Sequence, residues 1–115
     1  MRISIKDLSD ENIDDVFSIC SIKYSDNPLV KRGIEIKRNW MKKMLNKGIC
    51  VTKVGYANGK PIAQLLYYPE REIPYVPNPR KEVLKINCVY NPFPKFQKLG
   101  LLKGLLKILI TVLLM

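Results

Sequence analysis

Val83-Leu84-Lys85-Ile86-Asn87-Cys88-Val89-Tyr90 is followed, across Asn91–Lys95, by Phe96-Gln97-Lys98-Leu99-Gly100-Leu101-Leu102-Lys103-Gly104-Leu105-Leu106-Lys107-Ile108-Leu109-Ile110-Thr111-Val112-Leu113-Leu114-Met115. The first run is rich in β-branched and aromatic residues and reads as a strand over 83–90. The second reads as a helix over 96–113 that opens on a basic, glycine-containing turn. Its polar residues Lys103, Lys107 and Thr111 recur every four positions, so they form one narrow stripe on an otherwise apolar helix. A strand, a glycine turn and a helix in that order form an anion-binding arrangement. The first helical turn has N–H groups without intrahelical partners, and the aligned peptide dipoles place about half a positive charge there. Lys95 and Lys98 add formal charge beside it.

Working upstream, the order of elements becomes legible. Ile3 and Ile5 alternate with Arg2, Ser4 and Lys6, the period of a half-buried strand over 2–7. Ser9 is placed to cap a helix over 10–22, with Asp10 and Glu11 in its first turn and Ile13, Val16, Phe17 and Cys20 along its apolar stripe. Asp14 and Asp15 read as a solvated face, or more sharply as a rim that attracts an amine. Asp26-Asn27-Pro28 is a turn, and Pro28 opens a second helix over 28–47 that Gly48 ends. Asn58-Gly59 between two β-rich runs predicts a hairpin over 49–68. Pro69, Pro74, Pro77 and Pro79 make 69–82 a long surface connection. It is either a plain crossover or a substrate loop carrying Glu70, Glu72 and Tyr75.

The lead-in Pro94-Lys95-Phe96, then Gln97 and Gly100 before a leucine-rich helix, resembles the acetyl-CoA signature Gln/Arg-x-x-Gly-x-Gly/Ala of the GNAT-type N-acetyltransferases. Leu102 departs from it, placing bulk where the signature ends on a small residue, and Lys98-Leu99 stands where family members often have Gly-Lys. The order strand, helix, helix, strand, strand, strand, helix is similar to the first part of that fold. The resemblance implies a mixed α/β (α+β) partial GNAT fold over 1–115, an antiparallel meander followed by the coenzyme-binding helix. It implies acetyl-CoA as acetyl donor, a primary amine on a small molecule or peptide as acceptor, and no metal. It assigns pyrophosphate binding to main-chain N–H groups of Gln97, Lys98, Leu99, Gly100, Leu101 and Leu102. Carbonyl polarisation falls to backbone around Cys88, Val89 and Tyr90. The family continues past this helix with a fifth strand and further elements, including the tyrosine that often protonates the departing thiolate. By that comparison the chain is expected to be a truncated copy whose amine-dependent turnover falls below assay background, and Ile108–Met115 is in question as the native ending. No general base is readable. Glu70, Glu72 and Glu82 read as surface charges, and Cys88 as a small apolar strand residue rather than an acyl nucleophile.

Composition narrows the alternatives. The chain has 115 residues, enough for one domain, and a net charge of +10. Residues 1–26 hold six acids against three bases, whereas 27–115 hold four acids against seventeen bases. Such a field favours an anionic partner: coenzyme phosphates, nucleic acid or a lipid surface. Nucleic acid is disfavoured, because Trp40 is the only aromatic among the bases of the second helix and falls on its apolar side. Three widely spaced cysteines and no histidine argue against a zinc site and exclude a histidine-activated nucleophile. Without a hydrophobic signal core at the N-terminus, a reduced, cytoplasmic protein is expected. A reading from another class treats the chain as a non-enzymatic remnant. In it, the Lys103/Lys107/Thr111 stripe lies on an anionic membrane, or the uncovered strand edge drives self-association. A core helix packed on the sheet is preferred over the membrane reading, because a strand precedes it at the right distance.

Overall fold

Asn58 and Gly59 take φ of 51° and 80°, the two positive values that a two-residue turn between right-twisted strands demands. They join β2 (Thr52–Ala57) to β3 (Lys60–Pro69). The computed structural model describes residues 2–20, 26–73, 76–93, 104 and 107. β1 (Ile3–Asp7) pairs antiparallel with β2, and β4 (Leu84–Tyr90) pairs antiparallel with β3, giving one sheet in the order β1-β2-β3-β4. Between β1 and β2 run α1 (Ile13–Cys20) and α2 (Pro28–Asn46). The architecture is the mixed α/β fold with an antiparallel meander that the sequence predicts.

The two inner strands are buried on both faces, since Val51–Ala57 and Ile62–Tyr68 all lie in the interior. On one face Val54, Tyr56, Leu66 and Tyr68 pack with Ile13, Val16 and Phe17 of α1 and with Met41 and Met44 of α2. On the other, Ala57, Ala63, Leu65 and Tyr67 are joined by Ile5, Leu84 and Phe93. Gly104 lies against this second face, where a Cβ on it would sit 3.7 Å from Ile5 Cδ1. Gly104 and Lys107 are helical, the first half-buried and the second exposed. The remainder of the helix predicted over 96–113, and the whole Gln97–Leu102 turn, lie outside the described residues. Among the described residues no helix is long and apolar enough to cross a membrane.

α2 is bounded as its sequence dictates. Asn27 Oδ1 accepts from Leu29 N at 2.9 Å and Pro28 occupies the first turn. At the other end Ile49 N donates to Met44 O and Gly48 N to Leu45 O, both at 2.9 Å. With Gly48 at φ 77° this is a complete Schellman ending.

Elsewhere local competition moves the boundaries. α1 begins at Ile13, not 10, because Asn12 Oδ1 accepts from Ser9 N at 2.8 Å and closes residues 9–12 into a turn. Ser9 is therefore held by Asn12 rather than serving as the predicted cap, and Asp14 and Asp15 occupy the first helical turn instead of Asp10 and Glu11. Asp14 is exposed, as the sequence predicts, whereas Asp15 is half-buried. Asp14 accepts from Arg38 Nε at 2.8 Å, and Asp15 Oδ2 accepts from the Tyr56 hydroxyl at 2.6 Å. β3 ends on Pro69, one residue past the predicted hairpin, and Glu70–Glu72 forms a single 3-10 turn where an irregular connection was expected.

Two glycines in one helix region should respond oppositely to alanine. Gly48→Ala forces a side chain into the left-handed region and is expected to destabilise by about 1 kcal/mol. Gly33, inside α2 with open space around it, should gain about 0.5–1 kcal/mol as alanine through helix propensity. Urea unfolding midpoints, at unchanged m-value, measure both.

Candidate functional site

β4 bounds the described sheet; among the described residues no strand pairs with its outer edge. Its register against β3 is broken. Leu66 faces Cys88 and Tyr67 faces Ile86, so Asn87 is an extra residue with no partner position in the ladder. A bulge of this kind bends the strand and redirects the residues beside it. Cys88 and Tyr90 thereby share the helix-side face with Leu66 and Gln64, their register partners. Ile86 and Val89 point to the opposite face and are 46% and 40% exposed.

Behind Cys88 sits a polar group that the sequence reading passed over. Gln64, in the apolar run Ile62-Ala63-Gln64-Leu65-Leu66, is 1% exposed. Its Nε2 donates to Cys88 Sγ at 3.7 Å, and its Oε1 is buried without a hydrogen-bond partner. A lone amide in the middle of a doubly buried strand was the available signal. The chain leaves β4 through buried Asn91, whose Oδ1 accepts from Phe93 N at 3.2 Å. Phe93 then packs on the second face under Lys60, whose ammonium lies 4.9 Å from its ring centroid. Tertiary contacts thus fix the chain leaving β4 as far as Phe93.

At the other end of the β3–β4 pair, where Pro69 faces Leu84, Glu70 and Glu72 are engaged. Glu70, expected at the surface, has a side chain only 8% exposed. Its Oε1 accepts from Arg80 Nε and N at 3.2 and 3.3 Å, and its Oε2 from Nη2 at 2.8 Å. Hydrogen bonds from the guanidinium, then from the Arg80 backbone, hold its carboxyl below the usual range. Glu72 pairs with Lys47 at 3.2 Å. Glu82, exposed in the connection, takes φ of 60°, an uncommon left-handed conformation for its type. On the far side of the sheet a groove of about 340 Å³ between β1 and the start of α1 carries Asp7, Glu11 and Asp15. Burial, then the bond to Asp15, pushes the Tyr56 phenol there well above its usual value.

Of the predicted coenzyme-contacting set, Cys88, Val89 and Tyr90 lie at the end of β4 and are divided between its two faces. Gln97, Lys98, Leu99, Gly100, Leu101 and Leu102 lie outside the described residues.

No family model matches the sequence, and no curated protein does. Solved structures do match. The PaiA N-acetyltransferase of Thermoplasma acidophilum, in complex with coenzyme A, is 12% identical with a TM-score of 0.63, over 98% of this chain and 72% of that one. The loading GNATL domain of CurA from Lyngbya majuscula is 13% identical with a TM-score of 0.60, over 97% of this chain and 58% of that one. The Bacillus subtilis N-acetyltransferase YlbP, in complex with coenzyme A, is 12% identical with a TM-score of 0.50, over 93% and 68%. At such identities the likeness shows the fold alone: a mixed α/β architecture resembling that of the GNAT acetyltransferases.

The Glu70–Arg80 clamp has a pH signature. A carboxyl whose folded value is depressed contributes stability above its unfolded value, lost as pH falls through the folded one. Glu70→Gln should therefore lower Tm at pH 7, and the gap to wild type should close below about pH 4. Thermal melts across that range check it.

Proposed function

We propose that this chain is an acyltransferase of the N-acetyltransferase kind, with acetyl-CoA as donor and a primary amine as acceptor. The observation that carries the reading is the bulged β4 at the edge of the described sheet, which the basic glycine turn follows in sequence. Its likeness to folds solved with coenzyme A supports it.

The described residues fit such a donor. An open strand edge offers main-chain donors and acceptors to an extended arm as it would to another strand. Acetyl-CoA, when bound, supplies a thioester whose carbonyl carbon accepts an electron pair and whose sulfur leaves. Main-chain N–H groups around Cys88, Val89 and Tyr90 would polarise that carbonyl, a task for donors fixed before the charge develops. Main-chain N–H groups from Gln97 through Leu102 would hold the pyrophosphate, with Lys95 and Lys98 adding charge. The chain's remaining task is to hold the amine beside the thioester, and positioning of that kind supplies much of the rate in such reactions. Glu70 and Glu72 sit in ion pairs, and the reading assigns neither as base.

Calorimetry with coenzyme A tests this. Binding should weaken with salt, and Gly100→Val should loosen it about tenfold, the effect of about 1.4 kcal/mol of steric intrusion. Leu102→Gly should tighten it if bulk at that position keeps the phosphates away. A folded sample that gives no heat with millimolar coenzyme A removes the proposal.

A further inference from the structure

We propose that a cleft at the start of β4 is a carboxylate subsite for the acceptor, an extended peptide with an acidic side chain about four residues from its reacting amine. The proposal rests on the reading of Cys88–Tyr90 as the thioester end of β4. The cleft, about 270 Å³ in volume, opens where β3 ends and β4 begins, and is lined by Pro69, Arg71, Arg80, Glu82, Val83 and Leu84. Its lining is thus half apolar, and it carries two guanidinium groups.

Arg80 is the fixed member of that pair. Its Nε and Nη2 donate to Glu70 at 3.2 and 2.8 Å, and although the carboxylate is nearly buried, the Arg80 side chain is 72% exposed. A guanidinium has five N–H groups in a planar fork, so two such bonds leave three groups for a second anion. Arg71 is 64% exposed, and its Nε lies 3.8 Å from Glu72 Oε1, beyond hydrogen-bond reach. A carboxylate entering the cleft meets two guanidinium groups, one of them already oriented by the clamp on Glu70, and bidentate pairing with carboxylates is what the planar fork provides. Glu82 is the acid on the rim. Lys81 and Lys85 are also exposed here, and Lys85 acts electrostatically on Glu70, so the bases around the cleft outnumber Glu70 and Glu82.

The cleft is also continuous with the strand that carries the proposed chemistry. Leu84 belongs both to the cleft and to the apolar cluster on the second face. Ile86 and Val89 share that face, 46% and 40% exposed, and lead from Leu84 toward the end of β4. Such a strip suits the alternate side chains of an extended peptide. Leu84 and Cys88 are four residues apart, which is about 13 Å at the rise of a strand. A peptide spans that distance in about four residues. With its carboxylate in the cleft, its amine reaches the thioester end when the acidic residue is the fifth.

The test uses the pentapeptide Ala-Val-Ala-Val-Glu, amidated at its C-terminus, and its Gln counterpart. Each is measured by calorimetry, free and joined through its amine and an acetyl bridge to the sulfur of coenzyme A. The Glu peptide should bind about tenfold more tightly than the Gln peptide in both forms, or about 1.4 kcal/mol. Arg71→Gln should remove most of that difference while leaving coenzyme A affinity unchanged. It also avoids the clamp, so it serves if Arg80→Gln, which strands Glu70, does not fold. Lys31→Gln, which takes the same charge from α2, should retain the difference. Moving the Glu to the second position should abolish its advantage in the conjugate, because the linked carboxylate then falls short of the cleft. Equal binding of the Glu and Gln peptides, or an equal loss in the Arg71 and Lys31 variants, overturns the proposal and leaves the coenzyme reading intact. A conjugate indifferent to the position of the Glu overturns the acceptor role. Discrimination between the free peptides in a chain that gives no heat with coenzyme A supports the carboxylate subsite and overturns the coenzyme reading.

Discussion

β2 and β3 are buried on both faces, and the rest of the molecule is arranged to satisfy that burial. Side chains such as Val54, Leu65 and Leu66, each fully or almost fully out of water, contribute about 1.5–3 kcal/mol apiece when buried. A ribbon with two apolar faces needs cover on both. α1 and α2 cover one, while Ile5, Leu84, Phe93 and the helical residue Gly104 meet the other. The same demand sets the strand order. β2 and β3 take the centre, so β1 and β4 become the flanks, and β4 carries its bulge at the described edge.

Apolar packing tolerates sliding, and polar contacts at the rim remove that freedom. The Tyr56 hydroxyl on Asp15 and Arg38 on Asp14 tie β2 to α1 and α1 to α2. Trp40 meets Tyr68 edge to face, with ring centroids 5.8 Å apart, a geometry favoured by the ring quadrupole. Lys53 occupies the row shared with Leu65, its side chain 7% exposed, and its ammonium is held by the Asp7 carboxylate. A buried ammonium is tolerated only with such a partner. These contacts account for the position of the helices. Gln64 is different: its Nε2 reaches Cys88 Sγ on the next strand while its Oε1 is buried without a partner.

Several elements were legible from sequence because their causes are local. Asn58-Gly59 fixes the hairpin through two positive φ values, and Pro28 and Gly48 bound α2 through a missing N–H and a left-handed ending. The alternation of Ile3 and Ile5 marks β1. Each signal is carried by residues within a few positions of the element it determines. Asp14 is exposed as read, but Asp15 was misread as solvated because Tyr56 reaches it only after β2 has packed on α1. Glu70 was misread in the same way, since Arg80 arrives from the far end of a proline-rich connection.

The sequence by itself determined the order of strands and helices, the hairpin turn and the basic balance of the chain, all consequences of local backbone preference, spacing and charge count. Only the tertiary structure decided that β4 is bulged at Asn87, that Cys88 and Val89 point to opposite faces, and that Gln64 lies behind the thiol. A strand's period tells which residues alternate, but not where the alternation slips. The slip depends on how β4 is paired against β3, across the chain between Pro69 and Leu84. That long-range pairing brings an amide from one strand to a thiol on the next.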